Sequence, residues 1–307
     1  MSGAAGEGQC VRPTKSAWLP LFPVAGVHLS GPWLLIALVA TPVPALAIGV
    51  VVMRSAGLPT ILWSQNVVAA VLGALLCVGA AARRRRRPAS TAAPWLVVVG
   101  AAALAATFVS PGIEGVHRWV GVGPLRLHVA ATLLPAMLAV LYDAGCGRRT
   151  GVYGPIMVSV ALFAQPDAAQ ASAFAVAWAI IAGARRRARE TSGALVVLAL
   201  GAATLVRSDP LGPVPYVEGI LNLAQTQSAS RAVVGGLSLL LLPLPFMLDP
   251  SQRWLGAAVA AYMLCIVLAA SVGNYPVPVM GYGAAPILGY YFGATEFVKG
   301  SRLPDAA

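Results

Sequence analysis

Two sets of side chains in this sequence can do chemistry together: a cationic cluster around Arg118 and a few carboxylates in polar stretches between apolar runs. Arg118 stands between His117 and Trp119, with Arg126 and His128 shortly after it. Guanidinium groups pair bidentately with phosphate oxygens, so Arg118, Arg126 and His128 suit a diphosphate. The plainer role for Arg118 and Trp119 is to anchor a loop at the level of lipid headgroups. Asp209 and Glu218 are the candidate catalytic carboxylates, because they are the acidic residues of the longest polar stretch and a general base must be a positioned acceptor. Asp209 precedes Pro210 and would equally start a turn, and Glu218 would equally be a solvated loop charge. Gln165 and Asp167 flank Pro166, where Asp167 can face a ligand or cap the helix that follows. Tyr282, between Gly281 and Gly283, marks a tightly packed helix start and completes the candidate binding set.

Other chemistries find no support. The three histidines, His28, His117 and His128, lack metal-ligand spacing, and there is no His-Glu-x-x-His or P-loop. Gly121-Val-Gly123 lies between apolar runs, which is not the setting of a dinucleotide fingerprint. Cys10, Cys77, Cys146 and Cys265 are scattered, so no disulfide framework is expected.

The elements that must position these residues follow from composition. Of 307 residues, 58% are hydrophobic and 10% charged, with a mean hydropathy of +0.79. A chain this apolar belongs in a bilayer, which excludes soluble enzymes and DNA-binding proteins. The net charge of +11 comes in short runs between apolar stretches, so it orients the chain and does not recruit nucleic acid. The 32 glycines suit close packing of membrane helices.

Cutting at charges and Pro/Gly clusters gives ten apolar segments: Pro32 to Met53, Ile61 to Ala82, Thr91 to Val109, Leu127 to Tyr142, Gly151 to Ala164, Ala168 to Ala184, Ser192 to Val206, Ala232 to Leu248, Leu255 to Val272 and Met280 to Phe297. Backbone groups in hydrocarbon must be satisfied within the segment, so each is expected to be a helix. The expected architecture is all-α, one membrane domain over 1–307, with a cytoplasmic segment 1–31, helices over 32–297 and a cytoplasmic tail 298–307. With both termini inside and ten crossings, the inner side holds Arg12, Lys15, Arg83 to Arg87, Arg148, Arg149, Arg185 to Arg187, Arg189, Arg253, Lys299 and Arg302. Only Arg54, Arg118, Arg126, Arg207 and Arg231 stay outside, as the positive-inside rule prefers. Glu114, Asp167, Asp209 and Glu218 then face outward too, so any chemistry is expected there.

Five of the outer stretches resemble, in order, those of the SEDS family of shape, elongation, division and sporulation proteins (RodA, FtsW and SpoVE). GVVVMRSAG (Gly49 to Gly57) is similar to the end of that family's first helix. PGIEGVHRWVGVGPLRLH (Pro111 to His128) resembles its Arg-Trp loop, with Arg118 and Trp119 at the matching positions. QPDAAQASA (Gln165 to Ala173) resembles its Gln-Pro-Asp segment. DPLGPVPYVEGILNLAQ (Asp209 to Gln225) resembles the start of its fourth outer loop, and YPVPVMGYGAAP (Tyr275 to Pro286) its Pro-rich ending. The resemblance implies a bacterial inner-membrane protein of cell-wall synthesis, shape or division. It implies that the protein acts on or binds lipid II, the lipid-linked peptidoglycan precursor. Its implied partners are membrane lipids and a single-span penicillin-binding protein, with a divalent cation if it polymerises lipid II.

The sequence departs from the family at two telling places. His128, Val129, Ala130 and Ala131 stand where the family has Gln-Pro-Ser-Glu. The family's His-Thr-Asp-Phe segment, whose aspartate is taken as the catalytic base, has no counterpart, since Gln225 runs through TQSASR into the eighth apolar segment. Three readings remain open: a divergent glycosyltransferase using Asp209 or Glu218, a non-catalytic binder of the precursor or a partner, and a transporter of a small molecule or lipid. Coupled transporters bury ionisable groups near mid-membrane, and no apolar segment here carries a charge at its centre.

Overall fold

A computed structural model describes residues 29, 31–84, 95–123, 125–144, 149–207, 209–273 and 275–301. Each of the ten apolar segments coincides with helix in it. The first is α1 (Pro32–Ala40) and α2 (Pro42–Ser55), interrupted at Thr41 because Pro42 has no N–H to continue the ladder. Thr41 donates both its backbone N–H, at 3.0 Å, and its hydroxyl, at 2.7 Å, to the Ala37 carbonyl, which closes the last turn of α1. Then come α3 (Thr60–Arg84), α4 (Trp95–Ala106), α5 (Val129–Ala144), α6 (Thr150–Ala164), α7 (Ala168–Arg185) and α8 (Ala188–Leu205). A short α9 (Ile220–Gln227) precedes α10 (Ala229–Leu241), α11 (Leu244–Met247), α12 (Arg253–Val272) and α13 (Ala284–Gly300).

Among the described residues six stretches are long and apolar enough to cross a membrane: Pro32–Ser55, Thr60–Arg83, Ala168–Arg185, Ala188–Leu205, Ala229–Met247 and Pro250–Val272. Val97–Ala106, Val129–Asp143 and Thr150–Ala164 are shorter apolar helices. Val68, Val71, Leu72 and Leu75 of α3 are exposed, whereas a water-soluble fold would bury such a face. The chain is a multi-pass membrane protein.

At the centre, α13 packs on α5 and α3, and α7 packs on α8 and α12. Small residues set these distances: a Cβ on Gly289 of α13 would come within 1.9 Å of the Ala131 carbonyl of α5. Trp178, Phe174, Tyr290 and Phe297 fill the core between them.

The polar ends sort into two groups. At one end Arg185 pairs with Glu190 at 2.9 Å, donates to the carbonyls of Leu141 and Tyr142, and lies over the Trp178 ring. At the other end lie the stretches that follow α2, α4, α6, α8 and α12. Two cations there sit on aromatic rings, Arg54 on Trp63 and Arg207 on Phe163.

Two local expectations are corrected. The stretch before α5 is not plain loop: β1 (Trp119–Val122) and β2 (Leu125–His128) form an antiparallel hairpin with Trp119 opposite His128. The alternation of residues on its two faces outweighed the run of apolar character that seemed to begin a helix at Leu127. The long stretch after α8 contains α9, and the eighth helix begins at Ala229, three residues earlier than its apolar run. The N-terminal segment with Cys10, Arg12, Lys15 and His28, the run Arg85 to Arg87, Cys146, Arg148 and Arg302 lie outside the described residues.

Candidate functional site

The stretches after α4, α6, α8 and α12 meet over a cavity of about 350 Å³, within the usual range of about 300 to 1,000 Å³ for ligand pockets. Its floor is polar and its walls are largely apolar.

Arg118 comes to the cavity because it immediately precedes β1 and its carbonyl accepts from Val129 N–H at 3.1 Å, closing the base of the hairpin. Its guanidinium joins three segments. Nε donates to the Gln165 carbonyl at 3.2 Å, Nη2 donates to the Pro166 carbonyl, and Nη2 pairs with Asp209 Oδ2 at 2.8 Å. Arg126, on β2 of the same hairpin, is exposed and lines the cavity with no ion-pair partner among the described residues.

Asp167 caps α7, accepting from Gln170 N–H at 3.2 Å. Its second oxygen is buried, with His128 Nε2 3.2 Å away. Burial pushes the Asp167 carboxyl up, but the neighbouring His128 and Arg118 outweigh it and hold the group below the usual carboxylate value of 3.8. Beside it Tyr262 of α12 donates its hydroxyl to Gln170 Oε1.

Asp209 accepts from Leu211 N–H at 3.2 Å in an Asx turn. Glu218 accepts from Val214 N–H at 2.8 Å within the turn 214–219. Burial raises the Glu218 carboxyl above its ordinary 4.5, its backbone hydrogen bonds oppose this, and the charge of Asp209 adds to the rise. That turn is tied to the segment before α13, where Tyr282 N–H donates to the Tyr216 carbonyl at 2.8 Å. Asn66 of α3 clamps the same segment, donating to the Gly281 carbonyl at 2.8 Å and accepting from Gly283 N–H at 3.0 Å. Gly283 has φ of 135°, which a side chain would strain.

No protein-family model matches the chain, and no curated protein matches it by sequence. The structure is similar to the crystal structure of the rod shape determining protein RodA of Thermus thermophilus, with a TM-score of 0.64 and 20% identity over 86% of this chain and 95% of that one. The fold is RodA-like. An aspartate-to-alanine variant of that RodA matches with a TM-score of 0.64 and 22% identity, over 86% of this chain and 96% of that one. A chain of a peptidoglycan synthase complex that coordinates polymerization and crosslinking matches with a TM-score of 0.57 and 20% identity, over 88% and 97%.

On this RodA-like scaffold, eight of the nine residues singled out from the sequence line one cavity: Arg118, Trp119, Arg126, His128, Asp167, Asp209, Glu218 and Tyr282. Gln165 does not. Its side chain is buried and donates to Thr107 Oγ1 at 2.7 Å, so it braces α4 against the turn before α7. His117 also turns away, with Nδ1 3.1 Å from the Ser110 carbonyl. Within the cavity Arg118 and His128 each face a carboxylate, whereas Arg126 is exposed. Gln170 and Tyr262 on the floor were missed; polar side chains inside apolar runs were the available signal. Among the described residues no group of three or more His, Cys, Asp or Glu could hold a metal ion.

Proposed function

We propose that this chain is an inner-membrane protein of bacterial cell-wall synthesis that holds a lipid-linked peptidoglycan precursor, lipid II, in the cavity over Asp167. The observation that carries the proposal is the convergence of Arg118, Arg126, Asp167, Asp209 and Glu218 on one pocket within a RodA-like fold. Arg126 supplies the exposed cation for the diphosphate, and the polar floor of His128, Asp167, Gln170 and Tyr262 offers donors and acceptors to the sugar. In this reading both termini and the Arg83 to Arg87 run are cytoplasmic, the cavity faces outward, and a single-span penicillin-binding protein is the partner that crosslinks the glycan.

A second reading, in which the protein also transfers the glycan, is favoured by Glu218. A carboxyl with a raised pKa beside the cavity suits a general base. In that step a sugar hydroxyl attacks the anomeric carbon of the precursor, its proton passes to Glu218, and the carbon–oxygen bond to the diphosphate breaks. Against transfer stands the sequence between α9 and α10, where Ser228 alone separates the helices and supplies no carboxylate.

The test uses full-length protein in lipid nanodiscs. Saturable binding of lipid II that is weakened at least tenfold by Arg126→Ala supports the binding reading, and binding indifferent to Arg126 contradicts it. Glycan polymer formed with or without a divalent cation, and abolished by Glu218→Gln, supports transfer. Binding without polymer leaves the non-catalytic reading.

A further inference from the structure

The stretch between α8 and α9 is held in two different ways. Its second half, the turn 214–219, is stitched to the segment before α13 by backbone: Val277 N–H donates to the Val217 carbonyl at 3.2 Å and Tyr282 N–H to the Tyr216 carbonyl at 2.8 Å. Gly281 lies so close that an added Cβ would come within 2.5 Å of the Val217 carbonyl. Its first half, Asp209 to Pro213, reads DPLGP. Pro210 and Pro213 have no N–H to give, and the Leu211 N–H is turned back onto Asp209 itself. Among the described residues the polar tie from this leg to the rest of the cavity is the ion pair of Asp209 with Arg118.

That pair is lopsided. The Arg118 side chain is 6% exposed, while that of Asp209 is 25% exposed, on a leg that makes no backbone–backbone hydrogen bond among the described residues. A buried guanidinium whose Nη2 faces the cavity is an anion position, and here a carboxylate of the chain already stands in it. A diphosphate carries more charge, and can engage Arg118 and the exposed Arg126 together.

We propose that Asp209 is an autoinhibitory occupant of the anion position at Arg118, and that a diphosphate-bearing ligand enters by displacing it, swinging the leg 209–213 outward about Val214. The proposal rests on the reading that the cavity takes a lipid-linked diphosphate. It assigns Asp209 a role opposite in sign to that of a binding residue. Removing its charge tightens ligand binding.

The test is a binding series in nanodiscs with farnesyl diphosphate and inorganic pyrophosphate as probes, read together with hydrogen exchange at the Leu211 and Gly212 amides. Asp209→Asn keeps the acceptor for Leu211 N–H and loses the charge. It is expected to bind both probes about tenfold tighter than wild type, as expected when a competent state that was a minor population becomes dominant. In an Arg118→Lys background the same substitution is expected to give no gain, because the fork that Asp209 occupied is gone. The two amides should exchange faster in Asp209→Asn without ligand, and faster in wild type once a probe is added. Affinity that falls or stays level in Asp209→Asn overturns the proposal, as do Leu211 and Gly212 amides that become more protected with ligand. Wild-type binding without a gain in Asp209→Asn removes this inference and leaves the proposed function standing, whereas absence of binding by every variant removes both.

Discussion

His128 Nε2 lies 3.2 Å from Asp167 Oδ2 on the buried floor of the cavity. Ala131 N–H donates to His128 Nδ1 at 3.2 Å, which fixes the ring with its Nε2 edge toward Asp167. Together with the capping bond from Gln170 N–H, this makes Asp167 both a helix start and the negative counterpart of the cationic hairpin.

Asp167 therefore gives the protein an acid limit. Its carboxyl is held below 3.8, so its contribution to stability is present above that value and is lost as pH falls through the lower folded value. Thermal unfolding in nanodiscs should show the melting temperature dropping below about pH 4, and Asp167→Asn should flatten that drop. Asp167→Ala, which also loses the cap, should cost about 1 to 3 kcal/mol at neutral pH. An Asp167→Asn variant with the wild-type acid limb would contradict the assignment.

Glu218 behaves with the opposite sign. Burial raises its pKa above 4.5, so the folded state favours the protonated form, and this stabilisation fades as pH rises through the folded value. Glu218→Gln keeps an acceptor for Val214 N–H and should leave the protein slightly more stable than wild type at pH 7. If the chain polymerises lipid II, the same change should lower the rate by about 10² to 10⁴, the usual cost of a lost general base. A polymerisation rate unchanged by Glu218→Gln would remove the residue from the chemistry.

Close helix contacts yield a matched pair of stability predictions. Gly289→Ala forces a methyl against the Ala131 carbonyl and should cost about 1 to 3 kcal/mol or prevent assembly of α13 on α5. Gly79→Ala in α3 meets nothing within 4 Å, so it should be neutral or stabilise by about 0.5 to 1 kcal/mol. Equal effects in a denaturation series would contradict the packing described for α13.

Much of this was legible in the sequence, for physical reasons that also explain what was not. Apolar runs bounded by charge announce helices because hydrocarbon forbids unpaired backbone, and Thr60–Arg84 and Arg253–Val272 follow the reading within a few residues. Asp167 as a helix cap was likewise visible from its place before an apolar run, and Gln170 N–H confirms it. The Trp119–His128 hairpin was hidden because its four-residue strands abut α5, so a period of two merges into an apolar run. What joins Arg118 to Asp209 was not legible either, since the partners are 91 positions apart and the pairing depends on where α6 and α8 end. Asn66 was passed over for the same reason: its partners, Gly281 and Gly283, belong to the far end of the chain.

Orientation makes a prediction of its own. The outer stretches around residue 120 and the arginine run around residue 86 should lie on opposite sides of the membrane, as the positive-inside rule requires. Cysteines placed beside each, probed with an impermeant thiol reagent in intact cells, should label beside residue 120 and stay protected beside residue 86. Labelling of both, or of neither, would overturn the membrane arrangement proposed for the cavity.

The most direct test of the account is photocrosslinking to lipid II in nanodiscs, with a photoreactive residue at Ile113 in the cavity wall and, as control, at Val233 on the exposed apolar face of α10. The account predicts saturable capture of lipid II at Ile113, weakened by Arg126→Ala, and only background capture at Val233. Equal capture at both positions, or none at Ile113 with the protein intact, would contradict it.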